Sequence, residues 1–114
     1  MNSRDKGKRG ELEAAHLLKE YGYGARRGQQ YSGINGDADV VGLPGIHIEV
    51  KRVEKLNIDN AMEQSVRDAR YGEMPIVIHR RDRKQWLVTM TLAEWMELYQ
   101  AWEKVKWEKN AKGF

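Results

Sequence analysis

Four side chains in this chain of 114 residues have types and spacings that could do chemistry together: Glu11, Asp39, Glu49 and Lys51. Glu49 and Lys51 lie in the run Ile46-His47-Ile48-Glu49-Val50-Lys51, where apolar and polar residues alternate. Alternate side chains of a strand share a face, so Ile46, Ile48 and Val50 point one way and His47, Glu49 and Lys51 the other. Leu43-Pro44-Gly45, just upstream, carries the Pro-Gly signal of a turn. If it is a three-residue loop, Gly42 pairs with Ile46, Asp39 falls opposite Glu49, and Asp37 falls opposite Lys51; a loop one residue shorter would rotate the pairing. Like charges directly across a hairpin destabilise it. A hard divalent cation held by carboxylate oxygens would compensate an Asp39–Glu49 pair. The Lys51 side chain beside such a cation could orient a water or, as the neutral amine, deprotonate it, and as the ammonium offset charge on a phosphorane-like transition state. Taken alone, Glu49-Val50-Lys51 is also what a solvent-facing strand gives.

The elements that must position these groups follow from periodicity. Residues 1–9 are polar, basic and Gly-containing, and read as a flexible basic arm. From Gly10 to about Tyr21, Ala14, Leu17, Leu18 and Tyr21 recur at helical spacing as one buried stripe, and Gly22 is a stop signal. Glu11 lies at the edge of that stripe, while Glu13 and Glu20 fall on the other side. Its carboxylate either faces the sheet or offsets the helix dipole. Tyr23–Arg27 is a candidate first strand, followed by a loop without apolar periodicity through Gly36. Strands are expected over Ala38–Gly42 and Ile46–Arg52, and a helix from an Asp59 cap to about Tyr71, ended by Gly72 and Pro75. Ile76–Ile78 and Trp86–Val88 form a hairpin around the basic turn Arg80–Lys84, and Thr91 caps a last helix to about Lys109. The order α-β-β-β-α-β-β-α predicts an α/β fold, a mixed central sheet flanked by helices, in one domain over residues 1–114.

Composition narrows the partners. With no cysteine, disulfides, thiolate nucleophiles and Cys-ligated zinc are excluded. No apolar run approaches the roughly 20 residues that span a bilayer, and the start lacks a signal-peptide core, so a soluble, cytoplasmic protein is expected. Twenty Lys and Arg oppose seventeen Asp and Glu, for a net +3 and a pI near 9.2. The basic residues cluster at Arg4–Arg9, Arg26-Arg27 and His79–Lys84, which suits a polyanion.

The run Gly36-Asp37-Ala38-Asp39-Val40-Val41-Gly42, followed by Ile46-His47-Ile48-Glu49-Val50-Lys51, resembles the PD-(D/E)XK nuclease core. With Lys6-Gly7-Lys8-Arg9-Gly10-Glu11-Leu12-Glu13 and Arg27, it resembles the archaeal-type Holliday-junction resolvases, a group with phage and prophage members. The resemblance covers roughly Lys6 to Lys51 and is topological beyond. It implies a restriction-endonuclease-like core and Mg²⁺-dependent hydrolysis of branched DNA, with Mn²⁺ as a substitute. It implies Asp39, Glu49 and the Val50 carbonyl as metal ligands and Lys51 as catalytic lysine, with Glu11 completing the site through water. Arg27 and Ser32 would meet DNA, together with Lys8, Arg9 and Arg52, and Gln64 stands where some relatives carry a polar catalytic helper. Ala38 replaces the motif proline, and Asp37 is an alternative to Asp39, although Val40-Val41 after Asp39 continues the strand.

Other features are compatible with this reading without adding to it. His16, His47 and His79 have no metal-ligand spacing; His47 shares the face of Glu49, which leaves a place near the site open, and otherwise reads as a surface strand histidine. Three of the four tryptophans, Trp95, Trp102 and Trp107, lie in the last helix with Leu98, Tyr99 and Val105. Trp95 and Leu98 are expected in the core, and the face from Trp102 onward suits a homodimer contact. Two other functions share the same residues: a nicking or repair nuclease for flaps or single strands, and a non-catalytic DNA-binding module. The second would be expected to have lost one of the acidic residues or the lysine, and none is lost here.

Overall fold

The computed structural model describes residues 3–29 and 38–112. It contains α1 (Ser3–Glu20), β1 (Arg26–Arg27), β2 (Val40–Val41), β3 (Ile46–Arg52), α2 (Ile58–Asp68), β4 (Met74–Arg80), β5 (Leu87–Met90) and α3 (Leu92–Lys112). The predicted order of elements is the observed one. The five strands form one sheet in the order β1-β2-β3-β4-β5, with β3 and β4 parallel and the other neighbours antiparallel. The parallel pair requires a crossover, which α2 supplies.

Alternation along β3 and β4 splits the core into two faces. Ile48, Val50, Ile76 and Ile78 pack with Val40 and Ala25 against Ala14 and Ala15 of α1. On the other face α2 covers β3 and β4 around the buried Val77 and Ala61. Small residues let α2 sit close: Ser65 is fully buried, and its hydroxyl donates to the Ile76 carbonyl at 2.9 Å. The approach of α1 to the sheet is equally tight. A Cβ at Gly10 would lie 2.7 Å from the Arg52 Cβ, so the residue before Glu11 must be glycine for the helix to cross β3 where it does.

Several boundaries differ from expectation. Residues 3–9, read as an arm, form the first turns of α1. They contain no proline, and Lys and Arg are good helix formers, so extending a packed helix through them costs little. Tyr21 is 74% exposed rather than part of the stripe, because the helix ends at Glu20. Gly22 (φ +99°) closes that end: its N–H donates to the Lys19 carbonyl at 2.9 Å, and the Tyr23 N–H to the Leu18 carbonyl at 3.3 Å. Helical periodicity no longer governs Tyr21 beyond that point. Asn57, not Asp59, caps α2, its side-chain oxygen accepting from the Asn60 N–H at 3.1 Å. Thr91 caps α3 as predicted, with the Glu94 N–H 3.3 Å from its hydroxyl.

The last helix departs most. Trp95 and Leu98, expected in the core, are each 47% exposed. Helix α3 packs only lightly on the sheet, and the Cα radius of gyration is 15.8 Å. A compact chain of this length would have about 13 Å.

Candidate active site

The site begins where β2 leaves β3. Val40 pairs with Ile48, which is the register of the three-residue loop and sets Asp39 against Glu49. Strand β2 starts only at Val40, and beyond its end the Val50 N–H donates to Asp39 Oδ2 at 2.9 Å. A carboxylate thus takes the place of a ladder carbonyl and is fixed beside β3. Asp39 also remains tied to β1, its carbonyl accepting from the Gly28 N–H at 2.9 Å.

Glu49 lies in the middle of β3 and is 3% exposed. The register places it opposite Asp39, whose charge acts on it. Oε1 lies 2.9 Å from His47 Nε2, and Oε2 accepts from Gln64 Nε2 of α2 at 3.4 Å. Burial pushes the Glu49 carboxyl above its ordinary value; the His47 hydrogen bond opposes this, and the Asp39 charge adds to it. Lys51 follows two residues along on the same strand, half-buried.

Glu11 arrives from α1. Arg27 Nε donates to Glu11 Oε2 at 2.7 Å, joining helix and first strand at a half-buried ion pair. Burial pushes Glu11 above the usual glutamate range, Arg27 pulls it down, and the nearby Asp39 pushes it up again. Lys51 also lies within electrostatic range of Glu11. All four residues singled out from the sequence therefore converge on one corner of the sheet, with Gln64 and Arg27 in contact with two of them.

The remaining candidates lie elsewhere. Lys8 and Arg9 are exposed on the first turns of α1. Arg52 donates to Glu13 at 3.4 Å and to Asp82 at 3.2 Å, so its charge is matched within the fold, and Arg80 also pairs with Glu13. Ser32 and Asp37 lie outside the described residues. His47 reverses the expectation of a surface histidine, being 3% exposed under α2. Its Nδ1 lies 3.8 Å from Glu73 Oε1. Burial disfavours the charged imidazole, but Glu49 and Glu73 outweigh that and leave its pKa raised. Strand alternation alone could not have found it, since it gives the face of His47 but not what covers that face.

The family model described as "Phage putative PDDEXK endonuclease" matches residues 2–112. The chain belongs to this family of phage PD-(D/E)XK endonucleases. Among solved structures, Hjc of Archaeoglobus fulgidus, a Holliday junction resolvase from an archaeal hyperthermophile, superposes with a TM-score of 0.56 at 28% identity. That match covers 75% of this chain and 72% of the archaeal one. No curated protein sequence matches. The fold is thus the restriction-endonuclease-like one, and the phage PD-(D/E)XK protein is a nuclease acting on DNA. No helix among the described residues is long and apolar enough to cross a membrane.

Nucleases of this type generally use divalent metals. Among the described residues, no three His, Cys, Asp or Glu side chains form a group that could hold a metal ion alone. Asp39 and Glu49 nevertheless fit a small hard cation. Mg²⁺ takes one or two protein carboxylates and keeps several waters, and two adjacent carboxylates with a raised Glu49 form an electrostatic deficit that such an ion removes.

The raised Glu49 sets a direction for stability. Protonation is easier in the folded chain than in the unfolded one. That contribution is present at low pH and is lost as pH rises through the raised value. In metal-free buffer, the Glu49→Gln variant should melt above the parent protein at pH 7. The gap should shrink as pH falls through the raised value, below which the parent carboxyl is itself protonated. Thermal melts across that range check this, and a variant less stable than the parent at neutral pH would contradict it.

Proposed function

We propose that this nuclease is a structure-selective endonuclease that hydrolyses phosphodiesters in branched DNA, the four-way junction foremost, using Mg²⁺ or, as a substitute, Mn²⁺. The observation that carries the reading is the Asp39–Glu49 carboxylate pair with Lys51 two residues beyond, in a chain similar at 28% identity to a junction resolvase. Asp39, Glu49 and the Val50 carbonyl would hold the cation. When bound, it supplies Lewis-acid polarisation of a phosphate oxygen and a more acidic water. Lys51 orients the attacking water and offsets the charge that develops as its oxygen bonds to phosphorus and the P–O bond to the leaving strand breaks. Gln64 holds the Glu49 carboxylate. Glu11, fixed by Arg27, would complete the site through water, and Arg27 would contact the cut strand's phosphate. Lys8 and Arg9, exposed on α1, add sequence-independent phosphate contacts.

A four-way junction offers two symmetry-related strands, which suits a two-fold dimer. The aromatic face of α3 supports one. Trp95 stacks on Tyr99 with centroids 5.4 Å apart, Tyr99 meets Trp102 at 5.7 Å, and all three are exposed. The first half of α3 carries Glu94 and Glu97 and no Lys or Arg, whereas the second half carries Lys104, Lys106, Lys109 and Lys112 against Glu103 and Glu108 and is net basic. An antiparallel pairing with a second copy therefore matches charge as well as apolar surface.

Cleavage of a labelled four-way junction, flap, nicked and plain duplex panel with and without Mg²⁺ tests the reading. Junction cutting should be at least about 10³-fold faster in the parent than in Lys51→Ala or Asp39→Ala, which still bind the junction. Sedimentation should give a dimer that Trp102→Glu converts to monomer. A metal-loaded parent protein that binds but never cuts would count against hydrolysis, preferred cutting of flaps against the junction, and a monomeric parent against the α3 interface.

A further inference from the structure

His47 is a buried polar residue whose place in the fold would suit an apolar one. Its neighbours across the parallel ladder on the same face are Pro75 and Val77, both buried, and α2 covers that face. An imidazole here must be hydrogen-bonded to be tolerated. Its ring partner is Glu49: Nε2 lies 2.9 Å from Oε1, with both side chains less than 5% exposed. The facing atom is a carboxylate oxygen, so Nε2 carries the proton in that contact. On the far side of the ring, Glu73 lies 3.8 Å from Nδ1. Gln64 grips the other Glu49 oxygen at 3.4 Å.

The Glu49 carboxylate is therefore held by one donor on each oxygen, while Asp39 lies within reach of it. Without these donors, repulsion between the two carboxylates would drive Glu49 to a rotamer away from Asp39. We propose that His47 is a positioning residue: its Nε2–H locks Glu49 in the rotamer that leaves the two carboxylates ready to share a divalent cation. This rests on the cation reading of Asp39 and Glu49. Partners that orient a metal ligand typically carry a 10- to 100-fold share of metal affinity.

The test is Mn²⁺ binding by the full chain without DNA, read from the loss of the free-ion electron paramagnetic resonance signal. Parent, Asp39→Asn, His47→Leu, His47→Gln and His47→Asn are compared, with circular dichroism to confirm folding. The parent should bind, and Asp39→Asn should not. His47→Leu should bind at least about tenfold more weakly. His47→Gln should recover most of the affinity, because its amide N–H reaches the Nε2 position. His47→Asn should not, being one carbon shorter; this pair keeps a polar amide in place and decides the matter even where the leucine variant does not fold. Equal affinity in His47→Gln and His47→Asn, or parent affinity in a folded His47→Leu, would overturn the role of His47 while leaving the cation site intact. A parent that binds no Mn²⁺, or an Asp39→Asn variant that binds as the parent does, would overturn the cation reading and this proposal with it.

Discussion

The hydrogen bond from the Val50 N–H to the Asp39 carboxylate, at 2.9 Å, is the contact on which the rest of the site depends. It forms where the β2–β3 ladder ends, and it uses a main-chain donor that a longer β2 would have paired with a carbonyl. Ending the ladder there opens the sheet and fixes an acidic side chain in the opening. Because Glu49 sits at the facing position, the geometry that fixes Asp39 also brings two like charges together. A fold selected only for stability would not keep that pair. Restrained by neighbouring donors, the pair is what the proposed cation would neutralise.

The two helical layers divide the labour. On one face α1 packs through Ala14 and Ala15, and Gly10 lets it come close enough for Glu11 to join Arg27 at the sheet's corner. On the other face α2 packs through Ala61 and Ser65 and delivers Gln64 to Glu49. Each candidate carboxylate thus lies in or directly beside a regular element and accepts a hydrogen bond from a second one. That is what catalysis by preorganised charge requires. Helix α3 stands apart from this scheme, contributing an aromatic ladder with Lys106 Nζ 5.6 Å from the Trp102 ring, on a surface that the described chain does not cover.

Much of the site could be read in the residues because a tight turn and a two-residue period leave little freedom. Leu43-Pro44-Gly45 fixed the loop length, the loop length fixed the register, and the register set Asp39 against Glu49. Glu11 and Gln64 could be assigned a helix and a face, but their partners depended on how the helices cross the sheet. His47 was missed for the same reason: alternation gives the face of a strand residue, whereas its burial depends on α2 lying over it. The early start of α1 was hidden because propagating a helix from a packed segment needs no apolar signal. In α3 the residues marked a helix correctly but carried no information about which of its apolar side chains the fold would bury.

The central claim is that Asp39 and Glu49 share one cation at the point where β2 leaves β3. The most direct measurement is an anomalous difference map from crystals of the protein soaked in Mn²⁺. A single strong peak bridging the two carboxylates, with the Val50 carbonyl among its ligands, is expected. Manganese at full occupancy elsewhere on the chain, with no density between residues 39 and 49, would contradict it.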